Sequence, residues 1–207
     1  RVIELANFIA GPLCGTLLAD MGADVIKVEP PKGDMARATP PHVNRESVSF
    51  IALNRNKRSL SIDIKSEAGK AVIHKVLAGA DALIENFAYG TMDRLGLGYE
   101  QLSKKYPRLI YCGLKGFLTG PYEKRAALDE IVQFMGVLAY MTGPPGMPLR
   151  AGASVVDIMG GMFGALGILS ASFTMVFKKG DPVSLLVLMT STLFAGVWFP
   201  SEIGRAS

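Results

Sequence analysis

Asp157 is the residue whose chemistry stands out. It lies between Val155-Val156 and Ile158-Met159, with Gly160-Gly161 directly after, in a stretch that carries no other charge. A lone carboxylate among apolar neighbours is costly to bury unless it is hydrogen-bonded, paired or used. At the start of a helix, free N–H groups can keep it ionised, which would leave it competent as a nucleophile. A simple N-cap, or a buried ion pair to Arg150, accounts for the same pattern. The residues alone leave both readings open.

A second set of candidates sits where strands should end. Ligands of an open parallel sheet gather at the carboxyl ends of its strands. Four such ends can be nominated: Phe8-Ile9-Ala10-Gly11-Pro12, Lys65 after Ile64, Asn86-Phe87, and Lys115-Gly116. Helix N-termini and lysines hold phosphates while apolar loops hold a ring, so a phosphorylated, partly aromatic ligand suits the set. Ordinary loop residues would give the same pattern. There is no G-x-G-x-x-G and no Walker lysine, so a dinucleotide or triphosphate fingerprint is absent. Cys14 and Cys112 form no C-x-x-C pair, and His42 and His74 fit no ligand spacing. No metal site or disulfide is expected, and a reducing, cytoplasmic compartment is the expectation.

The elements that must position these residues alternate between β-rich and helical runs. Strands are expected over 1–6, 23–29, 59–64, 81–85 and 109–114. Helices are expected from Pro12 to about Met21, over 66–78 with Ser66 as N-cap, over 99–105, over 126–141 and from Val155, with a short turn at 91–95 and a polar loop from the Pro30-Pro31 turn to about Arg58. Such alternation predicts parallel strands with helical crossovers, an α/β sheet covered on both faces. The chain opens at Arg1, already inside a strand, so its true start is expected to be missing.

Composition narrows the class. The 207 residues are 49% hydrophobic and 19% charged, which excludes a disordered chain. A net charge of +4 is spread among acidic residues with no dense basic block, so no nucleic-acid surface is expected. Residues 158–177 and 182–200 carry no charge, and each run is about as long as the roughly 20 residues that span a bilayer. The glycines and hydroxyl residues of the first favour a core helix there over a membrane span.

In order and spacing, a series of short motifs resembles the class III CoA-transferases, a family that also includes α-methylacyl-CoA racemases. The series begins with Ala10-Gly11-Pro12 and Leu18-Ala19-Asp20-Met21-Gly22-Ala23-Asp24-Val25-Ile26-Lys27-Val28-Glu29-Pro30-Pro31. It continues through Gly33-Asp34, Arg37, Asn54-Arg55-Asn56-Lys57-Arg58-Ser59, Asp63 with Lys65, and Glu85-Asn86-Phe87. It ends with Met92, Arg94-Leu95-Gly96, Pro107-Arg108-Leu109-Ile110-Tyr111, Thr142-Gly143, Arg150 and Asp157. The likeness covers about the first 170 residues, so 1–170 is expected to be a CoA-binding, Rossmann-like domain, incomplete, and 171–207 an unassigned apolar tail.

The resemblance implies a mechanism in which Asp157 attacks the donor thioester and passes through a mixed anhydride to an aspartyl-CoA thioester. It implies CoA contacts at Phe8, Ile9 and Ala10 for the adenine end. Contacts to the nucleotide and pantetheine are implied at Ile62, Lys65, Asn86, Phe87, Arg94 and Lys115, with Lys65, Arg94 and Lys115 toward the phosphates. Where formyl-CoA transferases place an arginine after the Lys-x-Glu strand end, this chain has Pro30. The racemases place a histidine directly before an aspartate where Leu128-Asp129 stands here, and leucine exchanges no proton, so transfer is favoured over racemisation. No tightly bound cofactor is implied. The implied partners are an acyl-CoA donor, a small carboxylic acid acceptor of the dicarboxylate kind, and a second copy in an interlocked homodimer. A CoA-binding remnant without activity and a membrane-anchored protein are the rival expectations.

Overall fold

The computed structural model describes residues 1–176 and the strand Val197–Trp198. Strand β1 (Val2–Leu5) leads through helix α1 (Ala10–Asp20) to β2 (Val25–Glu29). A hairpin of β3 (His42–Val43) and β4 (Glu46–Ser47) and the short helix α2 (Val48–Ala52) precede β5 (Arg58–Ser61). Helix α3 (Glu67–Leu77), β6 (Ala82–Glu85), α4 (Thr91–Arg94), α5 (Tyr99–Lys105) and β7 (Ile110–Gly113) complete the alternation. Helices α6 (Asp129–Met135), α7 (Leu138–Thr142) and α8 (Val155–Val176) follow, then β8 (Val197–Trp198).

The sheet runs β5-β2-β1-β6-β7-β8, parallel except for β8, which lies antiparallel to β7. The expected mostly parallel α/β architecture is therefore present. Strands β1, β6 and β7 are buried at every residue, as the centre of a sheet covered on both faces must be. Alternate side chains feed two cores. Val2, Val25, Ile84 and Cys112 pack under α1 and α8, while Ile3, Leu5, Leu83 and Tyr111 pack under α3 and α5.

Local chemistry sets the helix limits. Ser66 caps α3 as expected, its hydroxyl accepting from Gly69 N–H at 3.0 Å. The strand expected over 59–64 ends at Ser61: Ile62 N–H still donates to the Glu29 carbonyl at 2.9 Å, and the chain then turns at Asp63, whose side chain accepts from Lys65 N–H. The loop expected up to Arg58 contains the hairpin and α2, with Ser47 capping α2. The helix expected over 126–141 is two helices. Val137 sits at φ 68°, a left-handed conformation that no β-branched residue holds within a helix, and it separates α6 from α7.

Among the described residues, α8 is the one helix long and apolar enough to cross a bilayer. It seats Ala165, Ile168 and Ala171 on the first core and leaves Ile158, Met159, Met162, Leu166 and Phe173 exposed. The boundary expected at 170 falls inside it, and most of the apolar run 182–200 lies outside the described residues.

The α1–α8 contact is close because it is built on small residues. A Cβ on Gly161 would stand 2.7 Å from the carbonyl oxygen of Ala10 and 3.0 Å from Leu13 Cβ. That oxygen belongs to backbone, so it cannot rotate away. Gly161→Ala is expected to push the helices apart and cost about 1–3 kcal/mol, read as a lower urea midpoint with an unchanged slope.

Candidate active site

The order of the strands fixes where a site can form. The chain moves from β1 to β2 and β5 on one side, then returns to place β6 and β7 on the other. The crevice outside the carboxyl ends of β1 and β6 is thus the topological switch point, where connections diverge and leave room for a ligand. Asn7 and Asn86 bridge it: Asn7 N–H donates to Asn86 Oδ1 at 2.9 Å, and Asn86 Nδ2 donates to the Asn7 carbonyl at 2.8 Å. Phe8 follows at φ 61°, a strained conformation for an aromatic residue, with its ring half exposed.

Helix α1 starts immediately after, with no side-chain cap, so the first turn points backbone N–H groups at the crevice. Pro12 in that turn gives up an N–H that would have no intrahelical partner anyway. Gly11 is required there, since a Cβ would lie 2.3 Å from Ala6 Cβ.

Two adjoining clefts open at this point. The larger, about 750 Å³, is lined among others by Asn86, Phe87, Tyr89, Lys115, Lys124 and Arg125. The smaller, about 490 Å³, is lined among others by Phe8, Ile9, Met35, Glu130, Arg150 and Ser154. Ala10, Asn86, Phe87, Asp129 and Asp157 line both. Asp157 therefore stands where the clefts meet.

Its carboxylate is neither of the structural alternatives that the sequence left open. Arg150 pairs with Asp129, Nη2 to Oδ2 at 3.3 Å, and not with Asp157. Nor is Asp157 an N-cap: it is the third residue of α8, and among the described residues no donor or cation reaches its carboxylate. Burial and the nearby negative charge of Asp129 push its pKa above the usual aspartate value of 3.8.

Sequence reasoning did not find what holds α8 in place. Asp129 Oδ1 accepts from Val156 N–H at 2.8 Å and from Asp157 N–H at 3.2 Å, capping α8 from across the site. Gln133, one turn further on α6, accepts from Ala151 N–H at 2.7 Å and donates to Asp129 and the Ala153 carbonyl. A signal was available in α6, whose amphipathicity is inverted: Asp129 and Gln133 are buried while Leu128, Ile131, Phe134 and Met135 are exposed.

CoA-transferase family III matches residues 1–195. The chain belongs to that family. It is 45% identical over 191 residues to a succinate–glutarate CoA-transferase of Agrobacterium fabrum, covering 87% of this chain and 48% of that protein. It is 44% identical over 176 residues to an acetyl-CoA:oxalate CoA-transferase of Acetobacter aceti, covering 83% of this chain and 45% of that protein. A CaiB/BaiF family protein from Brucella suis superposes with a TM-score of 0.80 at 42% identity, over 84% of this chain and 48% of that one. The chain spans about half the length of the curated relatives it matches.

Against this family III background, the structure gathers Phe8, Ile9, Ala10, Asn86, Phe87 and Lys115 around Asp157. Lys115 lines the larger cleft with Nζ 2.6 Å from both Glu85 Oε2 and the Phe87 carbonyl, so it is anchored at the β6 end. Ile62, Lys65 and Arg94 line neither cleft. Ile62 packs on the second core, Lys65 is exposed after β5, and Arg94 on α4 donates to Thr91 Oγ1 at 2.9 Å.

Proposed function

We propose that this chain supplies the CoA-binding domain and the nucleophile of an enzyme that moves coenzyme A from an acyl-CoA to a carboxylic acid. The observation that carries the reading is the carboxylate of Asp157: half-buried, unpaired among the described residues, and open to both clefts at the switch point.

The chemistry follows from that placement. An Asp157 oxygen attacks the thioester carbonyl, the C–S bond breaks, and CoA thiolate leaves a mixed anhydride behind. The thiolate attacks the aspartyl carbonyl of the anhydride, the donor acid departs as carboxylate, and an aspartyl-CoA thioester remains. The acceptor carboxylate attacks that thioester and releases thiolate again. The thiolate then opens the new anhydride at the acceptor's carbonyl, giving acceptor-CoA and free Asp157. A carboxylate is needed because an anhydride, unlike an ester, is reactive enough for a thiolate to reopen.

Both intermediates hydrolyse if water reaches them, and the apolar neighbours Ala10, Phe87 and Val156 limit its access. The uncapped first turn of α1 presents N–H groups toward the same crevice, suited to a developing oxyanion or a phosphate. The larger cleft, with its lysines and Tyr89, suits the nucleotide end, which leaves Phe8 and Ile9, expected at the adenine end, on the wall of the smaller cleft instead. A racemase would need a second acid/base group, and Leu128 at the head of α6 cannot serve. The exposed apolar residues of α6 and α8 support burial against a second copy of the chain, so a homodimer is the proposed working form.

Incubation of a protein of full family length with an acyl-CoA, followed by mass spectrometry of the peptide bearing Asp157, should show an adduct at that residue. It should persist in Asp129→Asn and vanish in Asp157→Ala. Undiminished transfer by Asp157→Ala would refute the reading.

A further inference from the structure

The smaller cleft has an unbalanced charge. Three carboxylates line it, Asp129, Glu130 and Asp157, and Arg150 is the one cation among the described residues that do so. An acid arriving to react at Asp157 is itself an anion, and one with a second carboxylate meets this acidic wall twice. Only a fixed cation can make a dianion welcome there.

Arg150 is placed for that task. Its side chain is 42% exposed, and among the described residues only its Nη2 is engaged, with Asp129 at 3.3 Å. A guanidinium carries five N–H groups in a planar fork, so a full edge remains for a carboxylate. Ser154 lines the same cleft and adds a hydroxyl. The remaining lining near Asp157, with Phe8, Ile9 and Met35, is apolar and fits a short methylene chain.

We propose that Arg150 binds the distal carboxylate of a dicarboxylic acid acceptor in the smaller cleft while the proximal carboxylate meets the group on Asp157. Arg150 is then the residue that sets the acceptor class. This rests on the transfer chemistry proposed above, with Asp157 as nucleophile.

The test is single-turnover discharge of the aspartyl adduct. A protein of full family length is loaded from a monocarboxylic acyl-CoA, so that the donor makes no use of Arg150. The adduct is then discharged with a four- or five-carbon dicarboxylate, or with the monocarboxylate of equal chain length. Arg150→Gln should raise the dicarboxylate concentration for half-maximal discharge by about 10- to 100-fold, the loss of one charge-assisted contact. Discharge by the monocarboxylate should stay within about twofold, and Arg150→Lys should recover part of the dicarboxylate effect. Equal weakening for both acids would mean that Arg150 acts only by holding Asp129, and would overturn the proposal. So would no change for either acid, or a wild-type adduct that the dicarboxylate cannot discharge. Absence of any adduct in the wild type would instead strike at Asp157 as nucleophile, a separate failure.

Discussion

Asp157→Asn removes transfer by at least about 10³-fold in a protein of full family length while leaving the fold intact, because an amide cannot perform the covalent step and the neighbouring Asp129 carboxylate is committed to the Val156 and Asp157 N–H groups. The same substitution raises thermal stability at neutral pH. Burial and the charge of Asp129 push the pKa of Asp157 up in the folded chain. A carboxyl group with a raised folded pKa favours folding most when protonated, below the unfolded value. Stability is then lost as pH rises from that value through the folded one. At neutral pH, above the unfolded value, that cost acts against folding, and asparagine removes it. Position in the first turn of α8 works in the other direction, since the helix N-terminus favours a negative charge there. The upward direction of the shift means that burial and Asp129 prevail. The acid limb of the adduct-forming step should accordingly lie above the usual carboxylate range. Asp129→Asn, which keeps an oxygen for the Val156 and Asp157 N–H groups, should move that limb to lower pH. Asp157→Glu should retain a small fraction of the rate, since displacing a reacting atom by one methylene costs on the order of 10²-fold. A melting temperature that falls in Asp157→Asn, or an acid limb indifferent to Asp129, would contradict the electrostatic account.

Much of the fold was legible because its signals are local. Runs such as Val-Ile-Lys-Val-Glu and Ala-Leu-Ile-Glu, punctuated by Gly22 and Ser66, mark strands and helices within a few residues of where they lie. Parallel strands place their carboxyl ends on one edge, so nominating strand ends was enough to bring Phe8, Ile9, Ala10, Asn86, Phe87 and Lys115 near the site. Lys65 follows the same logic, yet β5 is the far strand of the sheet, and distance along the edge leaves that residue outside both clefts.

What escaped was long-range pairing. Asp129 caps a helix whose first residues lie more than twenty positions later; the polar pair Asp129 and Gln133, one turn apart on α6, marks that face as unusual but does not name its partner. Cys14 and Cys112 likewise lie close enough for their hydrogen bond, with burial, to push the Cys14 thiol up, with Gly164 leaving room above both sulfurs. Nothing in their spacing suggests adjacency. The helix over 126–141 failed for a different reason: Gly136, a poor helix former, ends α6 as its C-cap, and α7 restarts after Val137 to pack against the loop before α8.

The charges inside the first two strands went unread as well, and they carry the largest stability effect expected in the molecule. Glu4 and Lys27 are direct cross-strand partners on β1 and β2, on the face covered by α1. Lys27 Nζ lies 3.0 Å from Glu4 Oε1 and 2.8 Å from Asp34 Oδ2, and donates to the Ala6 carbonyl at 2.8 Å. Lys57 Nζ lies 2.8 Å from Glu4 Oε2 and donates to the carbonyls of Pro12 at 2.7 Å and Leu53 at 2.8 Å. All four side chains are buried, two of each sign. Burial alone would lower the pKa of Lys27, and the charges of Glu4 and Asp34 outweigh it and raise it, whereas burial prevails at Lys57. Glu4 is the shared counter-ion, so Glu4→Gln leaves two buried ammonium groups facing Asp34 alone. A loss of roughly 3–5 kcal/mol is expected, the usual cost of stranding a buried charge. Lys57→Met on its own should also destabilise. The double variant should lose less than the sum of the two, by more than about 1 kcal/mol, because removing both partners leaves no stranded charge at that corner. Urea unfolding of the four proteins gives the coupling directly. The effect should reach the site too, since the Ala6 and Pro12 carbonyls held by these lysines bracket the Phe8–Ala10 loop. An additive double variant would show that the lysines are held by backbone carbonyls and not by Glu4.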